Sequence, residues 1–204
     1  MTAQLVHRGP DDSGAWADAG AGVALGFRRL AIIDLSEHGH QPMRSASGRF
    51  TMVFNGEVYN FAELRRELEA AGWRFRGHSD SEVILASFER WGIRDATRRF
   101  VGMFAIAVWD AEARTLSLLR DRLGIKPMFV AAPAGAVLFA SELKALAADP
   151  AFDRTVDEES LTAFLRYLYV PAPRTIYRHA LKLPPGHILT IADSRKPLPA
   201  PEPY

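Results

Sequence analysis

From Phe50 to Asp121 the sequence sets a strand, two helices and a hairpin in a row, an order that few folds can bury. Phe50 to Phe54 (FTMVF) is an apolar β-like run that ends at Asn55-Gly56. Asn60 with Glu63 three residues on has the form of a capping box. Phe61, Leu64, Leu68 and Ala71 then share one helical face until Gly72. Ser79 with Glu82 repeats the pattern, and Val83, Ile84, Ser87, Phe88 and Trp91 follow before Gly92. GMFAIAVWD (Gly102 to Asp110) and TLSLLRD (Thr115 to Asp121) flank the polar turn AEAR, which predicts a hairpin.

Other β-like runs are Ala21 to Phe27, Leu30 to Asp34, Pro127 to Ala131 and Ala136 to Ala140, with a short helix from Ser141. Many strands close together, with helices in two groups, predict an α+β fold of sheets packed face to face with helices outside. At the start, Thr2 to Val6 reads as the last turns of a helix that Gly9-Pro10 stops. After Asp149 the texture changes. Asp157 caps a helix with Leu161, Phe164, Leu165 and Leu168 on one face, and Leu181 to Ile191 is placed to return a strand pair to the core. SRKPLPAPEPY holds four prolines in eleven residues and reads as an extended linker. The expected division is a domain over 1–150 and an extension with linker over 151–204.

The 204 residues carry 25 Lys and Arg against 24 Asp and Glu, a net charge of +1. That balance speaks against a nucleic-acid partner. No apolar stretch reaches the ~18 residues of a membrane span, and no secretory signal opens the chain. A cytoplasmic protein without a membrane partner is expected. There is no cysteine, so disulfides, cysteine-ligated metals and a thiol nucleophile from this chain are excluded. His38 and His40 lack a carboxylate cluster to complete a metal site. Neither GxxxxGK[ST] nor GxGxxG occurs.

Three places could carry chemistry. In FNGEVYN, the Asn55 amide and the Gly56 backbone N–H could stabilise an oxyanion, although a turn is the simpler reading of Asn-Gly. Arg29 could grip a carboxylate in two prongs or stand solvated beside Arg28. Asp80, in the first turn of a helix, either complements the helix dipole or holds an ammonium group.

The order of HRGPD, RLAIID, QPM, NGEVYN, GHSDSE, GMFAIAVWD, RDRLGIKP and ASELKAL resembles the glutaminase domain of glutamine-dependent asparagine synthetases. These are class II glutamine amidotransferases of the N-terminal-nucleophile type. The resemblance implies a four-layer αββα sandwich whose first strand, headed by a catalytic cysteine, is expected upstream of Met1 and so missing here. It implies that Asn55 and Gly56 form the oxyanion hole, that Arg29 pairs with the substrate α-carboxylate, and that Asp80 and Glu57 hold its α-ammonium. Backbone groups of Leu30, Ala31, Ile32 and Ile33 would line the pocket; Ala31 stands where serine is common. The implied partners are L-glutamine, a synthetase domain of the same full-length chain and, because a lost strand bares ladder groups, a second copy in a homodimer. No cofactor or metal is expected in this chain; ATP and Mg belong to the synthetase domain. A catalytically inactive glutamine-binding or protein-interaction module is the alternative.

Overall fold

A computed structural model of the chain describes residues 1–31 and 37–204. After a 3-10 helix over Thr2–Arg8 come β1 (Asp12–Asp18), β2 (Val23–Arg29), β3 (Met43–Arg44) and β4 (Phe50–Val58). Three helices follow, α1 (Phe61–Ala70), α2 (Asp80–Trp91) and α3 (Ile93–Arg99), and then the hairpin β5 (Gly102–Asp110) and β6 (Thr115–Arg120). The rest comprises β7 (Phe129–Ala131), β8 (Leu138–Ala140), α4 (Leu143–Leu146), α5 (Glu158–Tyr167), β9 (Ala180–Lys182), β10 (His187–Ile191) and β11 (Glu202–Pro203).

Alternation along the strands builds the layers. β11-β10-β6-β5-β4-β3 form one antiparallel sheet. Met52 and Phe54 of β4, with Phe104, Ile106 and Val108 of β5, face Leu64, Leu68, Val83, Ile84 and Phe88 of α1 and α2. The intervening Val53, Ala105, Ala107 and Trp109 face the other way, onto Leu25 of β2 and Val130 of β7. Those belong to two smaller sheets, β1-β2 and β8-β7-β9. Ala131 and Ala140 of the second small sheet then turn outward onto Ala145 and Leu146 of α4 and Leu5 of the 3-10 helix. Helices, sheet, sheets, helices: the fold is the αββα sandwich.

Several expectations are corrected. β4 does not end at Asn55-Gly56; it continues to Val58, with Gly56 opposite Phe104. Only Gly fits there, because a Cβ would lie 2.1 Å from the Met103 carbonyl oxygen. β1 was not anticipated. Neither capping box forms: the Asn60 amide donates to Arg99 O (3.0 Å) and accepts from the Val101 N–H (3.0 Å). Glu82 accepts instead from the N–H groups of Gly77 (2.7 Å) and Arg76 (3.2 Å). Asp157 does cap α5, accepting from the Ser160 N–H, yet Leu165 of that helix and Leu168 just past its end are turned outward, 72% and 81% exposed.

The tail is not a free linker. Glu202 and Pro203 pair with Ile188 and His187, and the Tyr204 hydroxyl donates to Arg120 O (3.1 Å). Two of the three sheets hold strands from either side of residue 150, since β9 joins β7 and β10 joins β6. Of the run Leu30 to Asp34, Leu30 and Ala31 are not in a strand and the remainder lies outside the described residues.

Candidate functional site

β4 and the first turn of α2 meet at one end of the six-stranded sheet. The Val58 N–H donates to Asp80 Oδ2 (2.9 Å), tying the end of the strand to the start of the helix. Beside this junction opens a cavity of about 860 Å³ lined by Arg29, Leu30, Ala31, Asn55, Gly56, Glu57 and Asp80 among others. Every described residue that the sequence proposed for the site is therefore on one cavity wall or another. Ile32 and Ile33 lie outside the described residues.

Each group is set by its neighbours. Gln41 holds Phe54 by both backbone groups, accepting its N–H (2.6 Å) and donating to its carbonyl (3.4 Å), so the strand is fixed one residue before Asn55. The Asn55 Nδ2 is buried and, among the described residues, has no acceptor. A buried amide donor left unpaired is uncommon and costs roughly 1–3 kcal/mol. The Ser79 hydroxyl is likewise buried with no partner among the described residues, and Ser79 also lines the cavity. In the sequence Ser79 reads only as a helix cap, and the GHSDSE order is its sole pointer to the site.

Gly56 lines the cavity, and its lack of a side chain also has a structural reason. Its missing Cβ would have pointed at the β5 backbone, so glycine is what lets β4 and β5 pair here. Arg29 ends β2, and a Cβ on Gly39 would lie 2.0 Å from its Nη2, so the guanidinium is packed against that glycine. Ala31 donates its N–H to Asp11 Oδ2 (2.9 Å). The preceding HRGPD segment is pinned from the outer layer: Glu142 Oε1 meets His7 Nε2 at 3.0 Å and Arg8 Nη1 at 3.1 Å.

The electrostatics single out Asp80. It is 4% exposed, and burial pushes its carboxyl up to about 6, with the charge of Glu57 adding to the rise and the Val58 N–H opposing it. An anionic group destabilised in this way gains from a cation. The cavity thus presents a guanidinium, two carboxyl groups and an unpaired amide donor, complementary to a carboxylate, an ammonium and a carbonyl oxygen. No group of three metal-ligating side chains occurs among the described residues. His40, considered and set aside as a ligand, instead pairs through Nδ1 with Asp12 (2.7 Å).

The pattern of the glutamine amidotransferase domain matches residues 1–201. The chain belongs to that family. A Mycobacterium bovis protein named as a glutamine-hydrolyzing asparagine synthetase is 43% identical over 206 residues, covering 95% of this chain and 31% of the relative. Asparagine synthetase [glutamine-hydrolyzing] 1 of Bacillus subtilis is 40% identical over 191 residues, covering 94% of this chain and 29% of its own length. The amidotransferase chain thus spans about a third of the length of these relatives. Among solved structures, a protein described as a glutamine aminotransferase class-II domain protein from Silicibacter pomeroyi shares the fold at a TM-score of 0.52 and 18% identity, covering 94% of this chain and 90% of that one. The glutamine phosphoribosylpyrophosphate amidotransferase of B. subtilis does so at 0.56 and 21%, covering 82% and 32%.

Proposed function

We propose that this amidotransferase domain binds L-glutamine as a zwitterion and is the glutaminase part of an asparagine synthetase. Arg29 takes the α-carboxylate in a two-pronged contact. Asp80 and Glu57 hold the α-ammonium. The Asn55 amide and the Gly56 N–H meet the side-chain carbonyl where negative charge develops during acyl transfer. Leu30 and Ala31 line the pocket beside them. The observation that carries this reading is the buried Asn55 Nδ2, which has no partner among the described residues, in a cavity that Asp80 and Arg29 also line.

Hydrolysis needs a nucleophile, and no cysteine occurs in these 204 residues. In the mechanism that the family resemblance implies, a terminal cysteine attacks the carboxamide while its own α-amine takes the proton. This chain's residues bind, orient and stabilise; the thiol is not among them. Ammonia released in that way would amidate aspartate or a related acid in a synthetase part. ATP and Mg²⁺ would act only there, since this sequence has no glycine-rich phosphate loop. No helix of the described residues is long and apolar enough to cross a membrane, which accords with work in the cytoplasm.

Calorimetry with the 204-residue protein tests the binding half. Glutamine is expected to bind, and Arg29→Ala to weaken it at least tenfold. In a complete enzyme the same substitution should raise the glutamine requirement and leave ammonia-dependent synthesis intact. Equal loss of both activities refutes the role given to Arg29. Glutamine binding with no glutamine hydrolysis by any longer form of the chain would favour the inactive binding module instead.

A further inference from the structure

Three residues show how this fold treats a buried hydroxyl. Ser87 Oγ donates to Val83 O (2.7 Å), Thr97 Oγ1 to Ile93 O (2.6 Å) and Thr175 Oγ1 to Ala180 O (3.0 Å). Ser79 departs from that pattern. It is 5% exposed, its Oγ has no partner among the described residues, and it lines the cavity together with Asp80 and Glu57. A buried polar group left in this way calls for a specific reason.

Helix capping is not that reason. Ser79 is the N-cap of α2 and has the extended backbone of a cap (φ −76°, ψ 153°), yet its side chain makes no cap bond. An N-cap oxygen ordinarily accepts an N–H of the first turn. Here the adjacent carboxylate takes that part: the N–H groups of Asp80 itself and of Ser81 stabilise its ionised form, alongside the Val58 N–H at 2.9 Å. The Ser79 oxygen is thereby left over for a group that enters the cavity. Its surroundings decide which group. Asp80 and Glu57 are close enough for the charge of Glu57 to raise the Asp80 carboxyl, so an anion is repelled there and a cation favoured. A primary ammonium carries three N–H donors. Asp80 already accepts from three backbone N–H groups and has little capacity to spare, so two carboxylates leave one ammonium N–H in need of an acceptor.

We infer that the Ser79 hydroxyl accepts a hydrogen bond from the α-ammonium of the bound amino acid, completing with Asp80 and Glu57 a three-acceptor site that selects a primary ammonium. This rests on the glutamine reading and adds to it a binding residue and a specificity. An α-N-methylated glutamine has one N–H fewer and turns a methyl group to an acceptor, so the site discriminates against it.

Calorimetry on the 204-residue protein, with L-glutamine and with α-N-methyl-L-glutamine, tests this. The parent protein is expected to bind glutamine, and the methylated ligand about tenfold more weakly, the loss of one hydrogen bond to a charged group. Ser79→Ala should bind glutamine about tenfold more weakly than the parent. It should bind the two ligands within about twofold of each other, because the acceptor that told them apart is gone. Its melting temperature should be no lower than that of the parent, since the empty protein loses no hydrogen bond. Ser79→Gly, which keeps a favourable N-cap, should give the same pair of affinities. Glutamine affinity unchanged in both variants overturns the inference and leaves the glutamine reading standing. A Ser79→Ala protein that melts several degrees lower and weakens both ligands equally also overturns it, because the hydroxyl then supports α2 instead of touching the ligand. Failure of the parent to bind glutamine overturns both.

Discussion

At the residue scale, Asp80 sets stability against binding. An aspartate in the unfolded chain titrates near 3.9, whereas burial and Glu57 push the folded carboxyl up to about 6. Between those values the folded state holds the extra proton, so unfolding free energy falls as pH rises, by roughly 3 kcal/mol across the window. Above about pH 6 the ionised carboxylate is a standing cost that a bound ammonium would relieve. Affinity for glutamine should therefore rise about tenfold from pH 5 to pH 7, as the ionised fraction grows. Asp80→Asn should flatten both curves. At pH 7.5 it should raise the melting temperature of the empty protein by several degrees, at about 2–4 °C per kcal/mol for a chain of this size. The same variant should bind glutamine at least tenfold more weakly, by calorimetry. A variant that is both less stable and unaltered in pH dependence would remove Asp80 from this role.

At the scale of elements, β4 is the part on which the site depends. Gly56→Ala would drive a Cβ to 2.1 Å from Met103 O in the middle of the large sheet, where neither strand can retreat. A loss of about 2–4 kcal/mol in denaturant unfolding is expected. Gln41→Ala leaves the N–H and C=O of Phe54 without partners at a buried position, for roughly 1–3 kcal/mol and faster amide exchange at Phe54. Neither role was legible from sequence, because both depend on a neighbour far along the chain. The apolar run of β4 was legible, and so were the hairpin of β5 and β6 and the Asp157 cap, since each is settled by local pattern. Asn60 and Glu82 have capping residues' identities but found better-placed partners across the fold. β1 escaped notice because DSGAWAD is polar and buries only part of alternate residues. For the site, motif order points to Arg29, Asn55, Glu57 and Asp80, which line one cavity, whereas burial of the Ser79 hydroxyl without a partner among the described residues follows from the packing around it.

At the scale of the whole molecule, the tail shows how its proline-rich end becomes structure. Pro203 sits in the outermost strand of the large sheet, an edge position that tolerates a residue without an N–H. Arg94 donates to its carbonyl (2.7 Å) and also pairs with Glu202. The Tyr204 ring stacks on Phe104 with centroids 6.4 Å apart, and Arg122 lies over it at 5.4 Å. Burial pushes the Tyr204 phenol up to about 12, the nearby Arg122 charge opposing the rise and Asp121 adding to it. An unfolded tyrosine titrates near 10, so from about pH 10 to 12 the folded state keeps a proton that the unfolded chain loses, and stability falls as pH rises. Tyr204→Phe keeps the stacked ring and removes both the hydroxyl and its titration. Near neutral pH it should lose about 0.5–1.5 kcal/mol with the bond to Arg120 O. In melting curves from pH 9 to 11.5 its decline should be shallower than that of the parent, so the two converge as pH rises. Parallel curves would mean that the phenol is open to water and that the tail is not docked on the sheet.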